Sequence, residues 1–246
     1  MTDRDLKIYQ QSKEMDVFKR HEMKFLINKK QREYIESCLK QYAQPDIFFR
    51  STICNVYYDT PDYRLIRKSI EKPEYKEKIR MRSYGQVANN QEVFLELKKK
   101  YDGVVYKRRI PIAQNIAKDF MDKNLDYLPE SQIAREIEYF CQFYKNLQPS
   151  VYICYNRESY VANDNPNVRI TFDDHICWRQ DEMSLTSRPY GELLLDPNVS
   201  IMEIKITDSY PLWLVNILNE GKIVQKSFSK YGTIYEMLLR GGKIHV

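Results

Sequence analysis

YKEKIRMRSYG (Tyr75–Gly85), VFLELKKK (Val93–Lys100) and VVYKRRIPI (Val104–Ile112) decide how the rest of the chain is read. Taken as a strand, the first segment sends alternate side chains to opposite faces. Lys76, Lys78, Arg80 and Arg82 then share one face, and Tyr75, Ile79 and Met81 the other. Like charges in register repel, and a solvated outer face ordinarily mixes signs. Two readings follow: a wet strand face with snorkelling side chains, or the wall of a groove or barrel that meets a polyanion. Recurrence of the pattern decides between them.

The neighbouring segments repeat it. The link Gln86–Asn90 and the turn at Asp102-Gly103 have hairpin length, so the three strands should pair antiparallel. In the second, Glu92, Glu96 and Lys98 lie opposite Val93, Leu95 and Leu97. In the third, Lys107 and Arg109 share a face opposite Tyr106 and Arg108. Upstream, Phe18–Ile27 sets Arg20, Glu22 and Lys24 against Met23, Phe25 and Ile27. Downstream, Val168–Asp173 puts Arg169, Thr171 and Asp173 together, and SIMEIKI sets Glu203 and Lys205 against Met202, Ile204 and Ile206. A sheet with apolar residues outward and charges inward is a closed barrel with a polar lumen. The expected fold is α+β, a closed antiparallel β tunnel with flanking helices.

The helices are marked by periodicity and caps. Asn28 should cap a helix over Lys29–Tyr42, broken at Gln44-Pro45-Asp46. Ser51–Asp59 reads as a strand and Tyr63–Ile70 as a short helix. Ala113–Leu125 and Pro129–Leu147 are helical, the second with Ser131 as cap. Ser150–Tyr160 is a strand, 174–190 irregular, and Leu193–Ile206 one or two strands broken at Asp196-Pro197-Asn198. Helices are expected over Tyr210–Asn219 and, capped by Ser229, over Lys230–Arg240. No linker rich in Gly, Ser or Pro divides the chain, so residues 1–246 form one domain, with 1–16 a polar lead-in.

Composition narrows the function classes. Apolar residues are 43% and charged residues 30% of 246, as in a soluble globular chain. With Gly only 7, and neither nucleotide-binding glycine motif present, those folds are excluded. The five Cys form no C-x-x-C pair, and the three His are scattered, so neither a disulfide framework nor a zinc site is signalled. The N-terminus lacks a signal-peptide core and no apolar run can span a bilayer, so a cytoplasmic location is expected, with membrane contact only through a separate partner. A lumen of Lys and Arg suits polyphosphate, which Arg binds bidentately. A carboxylate beside polyphosphate is repelled unless a divalent cation lies between. Glu203, Glu96 or Glu22 should therefore include a metal ligand, unless each simply holds a neighbouring Lys or Arg.

The chain resembles the VTC-type polyphosphate polymerase domain of the triphosphate tunnel metalloenzyme (CYTH-like) superfamily. RHEMKF (Arg20–Phe25), NVYYDT (Asn55–Thr60), EKIRMRSYG (Glu77–Gly85), VFLELKKK, YNRESY (Tyr155–Tyr160), VRITFDD (Val168–Asp174), MEIKI (Met202–Ile206) and FSKY (Phe228–Tyr231) carry the resemblance, in order, from about Phe18 to Leu239. It implies an eight-stranded tunnel that moves the terminal phosphate of ATP onto a growing inorganic polyphosphate chain with Mn²⁺ or Mg²⁺. By resemblance Lys24, Arg80, Arg82, Lys98, Arg157 and Lys230 would hold the triphosphate or the chain, joined by Lys107, Arg109 and the Ser229 hydroxyl. Glu203 would hold the metal, and Arg67 is the candidate for a further phosphate contact. The charge pattern adds Arg20, Arg169 and Lys205 as binding residues and Glu96 as a second metal ligand.

Arg80, Arg82, Lys98 and Glu203 are the expected catalytic set, acting by positioning and charge neutralisation. A terminal phosphate oxygen is already anionic and needs no strong general base. Hydrolytic tunnel enzymes usually carry E-x-E-x-K where this chain has Arg20-x-Glu22-x-Lys24. That difference favours the polymerase over a tripolyphosphate or nucleoside triphosphate hydrolase. A non-catalytic polyphosphate-binding module is the third reading, and nucleic acid is not expected as a partner. The family's eukaryotic members join this domain to membrane spans and an SPX regulatory domain, neither of which is expected within these 246 residues.

Overall fold

The computed structural model describes residues 21–102, 104–123, 128–207 and 209–242. Arg20, the polar lead-in and Gly103 lie outside the described residues, as does the expected end of the helix near Leu125. The chain runs β1 (His21–Asn28), α1 (Lys29–Tyr42), β2 (Ala43–Asp59), α2 (Arg64–Ile70), β3 (Tyr75–Tyr84), β4 (Glu92–Tyr101), β5 (Val104–Ala113), α3 (Gln114–Met121), α4 (Gln132–Tyr144), β6 (Gln148–Ala162), β7 (Arg169–Arg179), β8 (Glu192–Leu193), β9 (Val199–Ile206), α5 (Leu212–Glu220) and α6 (Lys230–Arg240).

The helix starts follow from their caps. Asn28 and Gln31 form a reciprocal capping box on α1: Gln31 N donates to Asn28 Oδ1 at 2.9 Å and Asn28 N to Gln31 Oε1 at 3.2 Å. Ser131 caps α4 by accepting from Ala134 N at 3.0 Å. Ser229 caps α6 by accepting from Gly232 N at 3.1 Å.

Two strands outrun their expected limits. Gln44-Pro45-Asp46 ends α1 but is absorbed into β2, where the ladder to β6 shifts register between Pro45 and Arg50. A bulge is where a strand tolerates proline. The strand β7 continues to Arg179 through the polar run Asp173-Asp174-His175, opposite a register shift between Cys154 and Asn156. The bulge hides the period from sequence, and alternation resumes with buried Ile176 and Trp178.

All pairings are antiparallel, in the order β1-β9-β7-β6-β2-β3-β4-β5, with β8 beside β7. The eight-strand path is as expected, but it is not closed by hydrogen bonds: β1 and β5 end it unpaired with each other. The reason lies at β1, whose outer edge is taken by the segment before α6. Lys226 N donates to Lys24 O at 2.8 Å, and Phe25 bridges to Gln225.

Three apolar clusters fix which way the sheet faces. Ile79, Met81, Leu95, Leu97 and Ile110 pack outward with Ala117 and Phe120 of α3 and Ile137 and Phe140 of α4. Phe25, Ile170, Phe172, Met202 and Ile204 pack outward with Ile35 and Leu39 of α1 and Leu214 and Ile217 of α5. The third cluster is inside the curl: Ile53, Val151, Ile153, Trp178 and Ile201 receive Tyr231, Ile234, Tyr235 and Leu238 of α6. Helix α6 therefore plugs part of the concave face, and the charged residues line the remainder.

Candidate functional site

Each charged row stands on a strand whose other face is anchored in an outer core, so ladder register alone sets which side chains meet. Paired residues project to the same side. Arg80 of β3 lies opposite Glu96 of β4, and Glu96 opposite Arg109 of β5. Glu96, with a side chain only 2% exposed, gathers three cations: Arg80 Nη2 at 2.7 Å, Lys107 Nζ at 2.7 Å and Arg82 Nε at 3.8 Å. Burial raises the Glu96 pKa, but Arg80, Arg82 and Lys107 outweigh it and hold the carboxyl far below its ordinary range. Tyr57 OH accepts from Arg80 Nη1 at 2.7 Å, and Asn55 Oδ1 from Arg82 Nε at 2.9 Å, which fixes both guanidinium planes. Arg109 lies over the Phe94 ring at 4.2 Å.

A second group forms where β1, β9, β7 and β6 meet the start of α6. Lys24 lies opposite Glu203, and Thr171 completes the row. Glu203 is reached by Lys24 Nζ at 3.5 Å, Lys205 Nζ at 3.6 Å and Arg157 Nη2 at 3.6 Å. Asp173, fully buried, accepts from Arg157 Nε at 2.6 Å and Nη2 at 2.7 Å, and from Lys230 Nζ at 2.6 Å. Lys230 also lies 4.3 Å from the centre of the Tyr155 ring. Burial opposes ionisation of Glu203, yet Lys205, Lys24, Lys230 and Arg157 keep it well below the usual carboxylate pKa.

Glu22 joins the two groups. It contacts Lys24 at 3.1 Å on its own strand and Lys98 at 3.7 Å on β4, the neighbour of the strand that ends the path. This ion pair spans the side on which the sheet lacks a ladder. Burial raises the Glu22 pKa, but Lys98 and Lys24 bring it down to about 2.

A family model described as the VTC domain matches residues 19–239. The chain belongs to that family. A curated relative, vacuolar transporter chaperone complex subunit 4 of Schizosaccharomyces pombe, is 24% identical over 236 residues, covering 78% of this chain and 32% of the relative. The chain thus spans about a third of that protein's length. Two solved structures share the fold. A candidate adenylate cyclase from Bacillus halodurans superposes with TM-score 0.54 at 13% identity, over 87% of this chain and 94% of that one. A second, from Vibrio parahaemolyticus, gives 0.50 at 12%, over 90% and 99%.

Within this VTC domain the residues singled out by sequence separate into three sets. Lys24, Arg80, Arg82, Lys98, Lys107, Arg157, Lys205, Lys230, Glu96 and Glu203 converge through the ion pairs above, with Ser229 facing Lys78 at 3.1 Å. Arg109 shares their face, and Arg169 ends the row opposite Lys205, half exposed and paired with Asp46 at 3.5 Å. Arg67 is not brought in: it is exposed on α2, donating to Asp62 O at 3.3 Å.

Asp173 was placed in a charged row but given no role, and Tyr57, Asn55 and Tyr155 were not singled out, although alternation in NVYYD already puts Asn55 and Tyr57 on one face. Lys78, which alternation puts on the charged face of β3, reaches the cap of α6.

Among the described residues no group of three or more His, Cys, Asp or Glu is arranged to hold a metal ion. Glu96 suits that role less, because Arg80 and Lys107 hold its carboxylate at 2.7 Å. At Glu203 the three cations stand off at 3.5–3.6 Å, and Glu22 reaches the same Lys24 ammonium at 3.1 Å, so the two carboxylates approach one point. Mg²⁺-type ions characteristically take one or two carboxylates and complete their shell with substrate phosphate and water.

Proposed function

We propose that this VTC domain is a polyphosphate polymerase that moves the terminal phosphate of ATP onto an inorganic polyphosphate chain. The observation that carries the reading is the concave face itself. Cations outnumber carboxylates there, and Glu22, Glu96, Asp173 and Glu203 are each shared between two or three of them. A polyanion can displace these internal partners and keep the arginine planes that Tyr57 and Asn55 hold.

Arg80, Arg82 and Lys98 would bind the transferring phosphoryl group and offset its charge, and Arg157, Lys230 and Lys24 the adjoining phosphates. Lys107, Arg109, Lys205 and Ser229 would extend the track, with Arg169 at its end. Glu203, with Glu22 beside it, would hold Mn²⁺ or Mg²⁺, which supplies charge neutralisation between carboxylate and phosphate when bound. The nucleophile is the chain's terminal phosphate oxygen, so no side chain has to remove a proton. The relative's name, a subunit of a vacuolar transporter chaperone complex, supports assembly with a partner. No helix among the described residues is long and apolar enough to cross a membrane.

Incubation with ATP and Mn²⁺ tests the reading. Long chains on a gel support it. Orthophosphate released without chains favours a hydrolase, and binding of polyphosphate without turnover in any metal favours a binding module.

A further inference from the structure

Most lumen cations have a carboxylate partner; Lys78 does not. Among the described residues no carboxylate lies within ion-pair distance of Lys78, and its amine is 3.1 Å from Ser229 Oγ. The groups facing it are cationic: Lys76 and Arg80 on its own strand, Lys98 from β4 and Lys24 from β1. From α6 it meets only the Ser229 hydroxyl. Burial first, then these four charges, bring its pKa down to about 7.

Ser229 Oγ has a fixed duty, since it accepts the Gly232 N–H that starts α6. One lone pair and one proton remain. A neutral Lys78 has its own lone pair and can receive the Ser229 proton in a hydrogen bond. A Lys78 ammonium has none: it donates to the remaining Ser229 lone pair, and the Ser229 hydrogen must turn elsewhere.

We infer that Lys78 is charged by its ligand: it takes one proton from solvent as a polyphosphate enters, binds it as an ammonium, and thereby turns the Ser229 hydroxyl toward a phosphate oxygen. The inference rests on the polyphosphate reading of the tunnel. Binding there is then coupled to proton uptake, and α6 contributes a neutral donor only when Lys78 is charged. Lys107 is paired with Glu96 in wild type and in every Lys78 variant, so any proton it exchanges cancels when they are compared.

The test is the affinity of wild type, Lys78→Arg and Lys78→Gln for inorganic tripolyphosphate, without metal and at fixed ionic strength. Arginine stays charged throughout. Between about pH 7 and pH 8.5 wild-type affinity should fall roughly tenfold relative to Lys78→Arg, as expected for one proton taken up. Lys78→Gln should bind more weakly than wild type near neutral pH, and the gap should narrow as pH rises. A wild-type to Lys78→Arg ratio that stays constant across this range overturns the inference while leaving the polyphosphate reading intact. Failure of wild type to bind tripolyphosphate at all overturns both.

Discussion

Replacing Glu96 with Gln tests whether the tunnel stores uncompensated charge for its ligand. The side chain is 2% exposed and holds Arg80, Arg82 and Lys107. Removing one member of a buried ion pair typically costs about 3–5 kcal/mol, because its partner stays charged and desolvated. Part of that strain has an outlet. The Lys107 side chain is 44% exposed, so water can solvate its ammonium once the carboxylate charge is gone. Arg80 and Arg82 have no such outlet. The cost should therefore fall at the low end, about 3 kcal/mol, which for a chain of this size lowers the melting temperature by about 6–12 °C. Tripolyphosphate restores the missing negative charge, so the melting shift it produces should be larger in Glu96→Gln than in wild type. Differential scanning fluorimetry with and without tripolyphosphate reads both effects. A variant that melts within about 2 °C of wild type, or gains no more from the ligand, refutes the reasoning.

Glu203→Gln should abolish metal-dependent turnover of ATP while polyphosphate still binds, measured by chain synthesis on a gel beside a filter-binding assay. Arg67→Ala removes an exposed contact to Asp62 and should change stability by less than about 0.5 kcal/mol, with activity kept; a large loss of turnover would return Arg67 to the site. Glu22, Glu96, Asp173 and Glu203 all have lowered pKa values in the folded chain. Their contribution to stability is therefore full above the unfolded carboxylate range and is lost as pH falls toward about 2, the folded value for Glu22. Urea midpoints should drop steeply between about pH 5 and pH 3.

Much of the wall was legible because alternation and register carry it. Once Met81, Leu95 and Ile110 are assigned outward, Arg80, Glu96 and Arg109 must face inward, and the ladder sets them side by side. Caps were equally plain, since Asn28, Ser131 and Ser229 each precede their helix and bond its first turn. What sequence could not supply was tertiary. Nothing local tells that α6 enters the concave face, so Lys78 had no visible neighbour and Asp173 no visible partner in Lys230. The open edge was hidden for a similar reason: the segment at Gln225 that occupies β1 forms a single isolated bridge, with no strand pattern to read. Arg67 stands apart from the other cations because its helix packs with α6 through Ile66 and Ile70 while Arg67 itself points to Asp62.

The pairing of β1 with β9 has a kinetic consequence. His21 lies opposite Ile206 and Asn28 opposite Val199, so the ladder joins strands separated by most of the chain. The β3–β4–β5 meander needs only short loops and can zip early, but β1 has to wait for β9. Refolding should accordingly occupy the slow, millisecond-to-second regime of non-local β topologies. Lys24 meets Glu203 through this same ladder. A refolding chain therefore acquires its hairpins and outer helices before the half of the concave face that carries Glu203 exists.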